Sequence, residues 1–382
     1  MKLLRVTARN FKNCKDDYTI DFTTRAKKTS EDKLYELQEI APNLFTYNTM
    51  AFVGKNASGK TTAVDLIVCC HHILSNFHFE STRYSVDNTE LDIYFYHEGN
   101  IYRYTTVLKE NKTILKNGKP DAKKAEFTNE HIYRKIYTSS KAGKIFCDDG
   151  FEEMDKFTDL PADTSKIFFI LREERHEAFY FDSNDDDFIS YRFLFAYMRL
   201  YDVPSELFYK VLSIFDENIK ELDITEDENF RINYNGVEET KSAEELMWFL
   251  SSGTTKGMIL YTLMIISLTK GCDLIIDEIE NHFHKTLVEN MISLYKDPMV
   301  NKNNATLIFT THYCELLDLF GRKDNIWIAK SDEKVYLQNM HDVYKENNIR
   351  PELLKSKQFY NNTFDTAVNY KALMDFKREL MK

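Results

Sequence analysis

MAFVGKNASGKTTAVDLIV, Met50 to Val68, runs from a short apolar segment through Gly54-Lys55-Asn56-Ala57-Ser58-Gly59-Lys60-Thr61 into an apolar-periodic one. Ala63, Leu66, Ile67, Cys70, Ile73, Leu74 and Phe77 recur at helical spacing, so the stretch predicts strand, glycine loop, helix. Two glycines at that spacing let backbone N–H groups approach a phosphate chain. Lys60 neutralises it, Thr61 offers an oxygen to Mg²⁺, and Thr62 continues the helix start, whose dipole favours an anion. Many kinds of protein cradle phosphate, so the remaining motifs must say what the nucleotide is for.

Three more segments bear on that question. In GCDLIIDEIE an apolar strand ends in Asp277-Glu278, which suits a carboxylate holding Mg²⁺ through water and a second one polarising the attacking water. Alone, such a pair would be read as surface acids. Upstream, FLSSGTTKGMILYTLM places Ser251 and Gly253 at a helix start, able to bind an anion or, more blandly, to cap the helix. Downstream, ATLIFTTHYCELLD ends a β-branched strand at Thr310-Thr311-His312, where His312 could donate to a γ-phosphate.

In this order, GKNASGKT, LSSGT, LIIDEIE and FTTH resemble the ABC-type ATPase heads of the SMC, RecF and OLD group. LLRVTARNFKN resembles that group's opening strand and Asn-Phe-Lys turn. The likeness covers Met1 to about Glu110 and Asn229 to about Lys330. LSSGT followed by IDEIENHFHKTLVENMI looks most like the small AAA-type ATPases of bacterial abortive-infection systems, without a fused nuclease. The resemblance implies an ATP- and Mg²⁺-dependent switch in phage defence, built as a head-to-tail homodimer or larger assembly around two ATP molecules. Gly54, Lys55, Asn56, Ala57, Ser58, Gly59, Lys60, Thr61 and Thr62 of one head would hold ATP, and Ser251 and Gly253 of the other would close on it. Thr61 and Asp277 would hold the metal; Glu278 and His312 would act on the γ-phosphate. A separately encoded effector is implied as partner, commonly a nuclease of Toprim or RloB type. The roughly 70 residues after His312 are expected to be too few for a fused Toprim domain.

The sequence departs from the pattern in its signature, with Ser252 and Thr254 where transporters commonly have Gly and Gln. It also lacks any glutamine between Gln38 and Gln338, so the usual Q-loop residue has no counterpart there. Two alternatives stay open: a RecF- or SMC-like DNA-repair ATPase, and a non-hydrolytic ATP-bound scaffold. A net charge of -11 argues against a nucleic-acid-coating protein, although it is compatible with a local basic groove. Six cysteines without C-x-x-C pairing read as buried thiols in a reducing cytoplasm. The N-terminus lacks the apolar run of a signal peptide, and GMILYTLMIISL is too short to span a bilayer, so a cytoplasmic protein without membrane contact is expected.

The fold expected is α/β: a mixed central sheet around the P-loop, an antiparallel β-subdomain near residues 90 to 118 and a helical insert lobe. Residues 1–160 and 246–382 would be the two halves of an ATPase head, and 161–245 the insert. A meander with turns at Glu98-Gly99-Asn100 and Asn117-Gly118 is expected in the subdomain. ISYRFLFAYMRLY and SELFYKVLSIFDENIKEL read as helices, and IWIAK and KVYLQ as a strand pair. RAKKTSEDKLYELQEIAP reads as a charged connection. Asp185 to Asp187 and the cluster Arg172, Arg175 and His176 read as solvated segments; His282 and His284, at i and i+2, read as a dimer-facing loop rather than a metal pair.

Overall fold

The computed structural model describes residues 1–81, 83–110, 123–155, 157–173, 178–181, 187–281, 283–350, 352–364 and 370–381. Asn117-Gly118, Arg175, His176, Asp185, Asp186 and His282 therefore lie outside the described residues. Contacts divide the chain into two compact units, Met1–Glu177 with Thr310–Lys382, and Ala178–Phe309.

The first unit carries an antiparallel sheet in the order Glu152–Glu153, Lys123–Ile136, Asn100–Glu110, Thr89–His97, Lys2–Arg9 and Tyr18–Asp21. Alternation sets its register. Leu4, Val6 and Ala8 turn inward from the first strand, and Val6 pairs with Ile93 and Ile20 on its two neighbours. The expected subdomain is thus larger than residues 90 to 118, because the N-terminal strands complete it. In the same unit the strand Thr49–Val53 is buried throughout and pairs in parallel with Ile326–Ser331, Phe52 opposite Trp327. Full burial on both faces is what a run without polar alternation requires. Ile326–Ser331 pairs antiparallel with Val335–Asn339, as the strand pair IWIAK and KVYLQ leads one to expect.

The segment RAKKTSEDKLYELQEIAP corrects the sequence reading. Thr29 and Asp32 form a capping box that starts the short helix Ser30–Tyr35. Leu37–Ala41 then pairs with Leu44–Tyr47 as a hairpin, with Leu37, Ala41, Leu44 and Tyr47 buried. Exposed charge on Lys33 and Glu39 masks the alternation in the sequence.

The second unit has three parallel strands, Ala178–Phe181, Asp273–Ile276 and Leu307–Thr311, the last running on across the unit boundary. It also has an antiparallel sheet of Ile219–Ile224, Phe230–Tyr234 and Val237–Lys241. Helices Asp187–Leu200, Ser205–Phe215, Ala243–Phe249 and Ser252–Lys270 pack with this sheet around Tyr191, Phe195, Phe208, Phe230, Leu246 and Met258. The helix expected to run on to Leu222 stops at Phe215. The Asp216 carboxylate accepts from the Asn218 backbone N–H at 3.0 Å and from its Nδ2 at 2.9 Å, a local turn that competes with helix and lets a strand begin at Ile219. Helix Ser252–Lys270 is buried on most of its circumference and approaches Phe215 so closely that a Cβ at Gly257 would sit 2.2 Å from the ring. Among the described residues no single helix is long and apolar enough to cross a membrane.

Candidate functional site

The buried strand Thr49–Val53 delivers the chain to Gly54 and a tight loop. A Cβ on Gly54 would meet Ser58 Oγ at 2.5 Å and Ala329 O at 2.6 Å. Gly59 has φ +96°, and a Cβ there would lie 2.2 Å from Val335 Cγ1, so both conformation and space require glycine. Ala57 also takes a left-handed conformation, φ +59°, at a cost of roughly 1–2 kcal/mol. Lys55, Asn56 and Ala57 are exposed, Thr61 and Thr62 half-buried.

The helix Lys60–Asn76 begins at Gly59 with no side-chain cap. Ser58 is buried, and its Oγ has no hydrogen-bond partner among the described residues. Lys60, only 6% exposed, donates to Gly54 O and Lys55 O at 3.2 Å and lies 3.3 Å from His312 Nδ1. An ammonium has no lone pair, so Nδ1 is the acceptor, and a neutral His312 ring then carries its proton on Nε2. His312 itself is exposed, directly after the strand Leu307–Thr311.

A buried hydroxyl without a partner, an uncapped helix start and a lysine folded onto loop carbonyls together suit a polyphosphate. An orphaned buried polar group costs about 1–3 kcal/mol, which an anion accepting from Ser58 Oγ and the backbone amides would recover. Among the described residues no cluster of three His, Cys, Asp or Glu side chains forms a metal cage. Mg²⁺ characteristically binds through one or two protein oxygens plus substrate phosphates, a role open to Thr61.

Lys12 was not expected from the sequence to act on the loop. In the Asn10-Phe11-Lys12 turn, Phe11 is fully buried and Lys12 Nζ meets Asp65 Oδ2, on the P-loop helix, at 2.5 Å. Its ammonium also lies 4.9 Å from the Tyr84 ring centroid. The N-terminal turn is thereby clamped to the helix that starts the cradle. The Asn-Phe-Lys pattern signalled the turn but not its partner, 53 residues away.

The other motif residues fall in the second unit. Asp273–Ile276 presents Asp277 and Glu278 at its C-terminal tip, both half-buried, and Asp277 N–H reaches Phe181 O at 3.3 Å. Glu278 is left-handed, φ +53°, and its carboxylate accepts a hydrogen bond from Asn281 Nδ2. Ser251 is the N-cap of Ser252–Lys270: its Oγ accepts from Thr254 N–H at 3.0 Å and lies 2.8 Å from Thr254 Oγ1. Gly253 sits in the first turn, half-buried. His284 caps the helix Lys285–Lys296, with Nδ1 3.3 Å from Thr286 N. The structure thus brings Lys60 and His312 together, and places Asp277, Glu278, Ser251 and Gly253 in the other unit.

A family model described as "AAA domain, putative AbiEii toxin, Type IV TA system" matches residues 50–318, well over half of the chain. No curated protein matches the chain significantly. Among solved structures the chain is similar to the Smc head in "Crystal structure of the SmcHead bound to the C-winged helix domain of ScpA". The identity is 13% and the TM-score 0.46, over 90% of this chain and 100% of that one. With its P-loop between a buried parallel strand and a long helix, the chain belongs to this AAA-domain family.

Proposed function

We propose that the chain is the ATP-binding and ATP-hydrolysing switch subunit of an anti-phage, abortive-infection system. It would pair with a second copy around two ATP molecules and control a separately encoded effector. The observation that carries this reading is the start of Lys60–Asn76, which has no side-chain cap, with Ser58 Oγ buried beside it and without a hydrogen-bond partner among the described residues. The family description, naming a type IV toxin–antitoxin system, supports a cognate partner protein. Residues 1–160 and 246–382 are read as the halves of the head, and 161–245 as the insert lobe.

Gly54 to Thr62 hold the phosphates, with Lys60 balancing their charge. By motif, Thr61 and Asp277 would hold Mg²⁺, which would supply Lewis-acid neutralisation of the phosphoryl oxygens. Glu278 takes the proton of the attacking water, and His312, through Nε2–H, donates to the γ-phosphate. These last roles are assigned by motif. Ser251 and Gly253 close on the ATP of the other copy, so that hydrolysis releases the pair. The test is ATP affinity and turnover of the wild type against Lys60→Ala and Glu278→Gln. The proposal expects Lys60→Ala to lose binding and Glu278→Gln to keep binding but lose turnover. Unchanged turnover in both variants would overturn it.

A further inference from the structure

We infer that Asn281 is a positioning residue for the Glu278 carboxylate; the inference rests on the reading of Glu278 as general base. Glu278 occupies a left-handed conformation that a β-carbon-bearing residue adopts at a cost of roughly 1–3 kcal/mol. Something must hold it there. Asn281 does so twice: its backbone N–H donates to Glu278 O at 2.9 Å, and its Nδ2 donates to Glu278 Oε2. The amide's orientation is dictated by chemistry, since its oxygen would repel the carboxylate whereas its NH₂ donates.

The turn that carries Asn281 is itself anchored. Ile279 is fully buried, Glu280 and Phe283 nearly so, and Phe283 N–H reaches Glu280 O at 3.4 Å. The donor therefore rides on a fixed piece of backbone. A neutral amide suits the task better than a cation would, because it directs the carboxylate without adding a charge that would bind it as a salt bridge. A general base works only when held within hydrogen-bond reach of the water it deprotonates, so a rotated carboxylate loses rate rather than substrate affinity. The signal was present in the sequence as Glu278-x-x-Asn281, at turn spacing, but nothing local marked the asparagine as more than a polar turn residue.

The test compares wild type, Asn281→Ala and the isosteric Asn281→Asp, each alone and with Glu278→Gln, by steady-state ATP hydrolysis and by affinity for a fluorescent ATP analogue. Asn281 is half-buried on a turn, and analogue affinity doubles as a check on folding. Both substitutions should lower kcat about ten- to hundred-fold. KM and analogue affinity should stay within about two-fold of wild type. In the Glu278→Gln background neither should cause further loss, because the positioned group is already gone. Wild-type kcat in Asn281→Asp, loss confined to KM, or losses that add in the Glu278→Gln background would each overturn the inference. Hydrolysis that survives Glu278→Gln alone would instead remove the reading on which it rests.

Discussion

Two long helices of this chain start with small polar residues, and they start in opposite ways. Lys60–Asn76 has no side-chain cap, a buried Ser58 hydroxyl without a partner among the described residues and a lysine turned onto loop carbonyls. Ser252–Lys270 is capped by its own Ser251, which accepts the Thr254 N–H and shares a hydrogen bond with the Thr254 hydroxyl. The first start leaves a buried hydroxyl without a partner among the described residues; the second is satisfied by its own cap. On the proposed function, the first start would bind phosphate as it stands, whereas Ser251 would have to exchange an internal bond for an external one. That fits a contact made only when a loaded second copy is presented to it.

The largest effect should come from Lys60→Ala, which removes the charge opposite the phosphates; ATP affinity should fall about a hundred-fold or more, read by titration calorimetry. Ser251 offers a sharper cut. Ser251→Ala loses the cap and should cost about 1 kcal/mol in thermal stability, together with ATP-dependent self-association. Ser251→Asp keeps a good cap and so keeps the melting temperature, but sets a carboxylate against phosphate and should still lose self-association. If Ser251→Asp associates like wild type, the signature has no phosphate to meet and the contrast between the helix starts loses its functional meaning.

Ser58→Ala should do the reverse of an ordinary core substitution. Deleting a buried hydroxyl without a partner should raise the nucleotide-free stability by about 1 kcal/mol, while shrinking the melting-temperature gain on adding ATP. A lower stability without nucleotide would mean that Ser58 has a partner in solution. The smallest signal is optical. Trp248, 79% exposed, lies three residues before Ser251, whereas Trp327 is only 3% exposed. Covering of the signature by a second copy should therefore shift tryptophan emission to the blue on adding ATP and Mg²⁺, and the shift should vanish in Lys60→Ala.

The cradle was legible because its chemistry is local. Glycine spacing, one lysine and a change of period from strand to helix all fall within Met50 to Phe77. The Asp277-Glu278 strand tip and the break at Leu250-Ser251 are legible for the same reason. What escaped the sequence depends on partners far along the chain. Lys12 acts through Asp65, and Gly59 is constrained by Val335, which no window around the loop contains. The hairpin from Leu37 to Tyr47 hides its buried positions among charges, and the start of the strand Ile219–Ile224, as far as Leu222, reads as helix because the turn at Asp216 is decided by one carboxylate. Glu278 held by Asn281 stands between these cases: close in sequence, yet visible only once the left-handed turn is seen.

The most direct test of the central claim is the solution mass of Glu278→Gln, measured with and without ATP and Mg²⁺, alongside the same variant carrying Lys60→Ala. The account predicts an ATP-dependent increase to at least twice the protomer mass, lost when Lys60 is replaced. A mass unchanged by ATP at concentrations that saturate binding would contradict it.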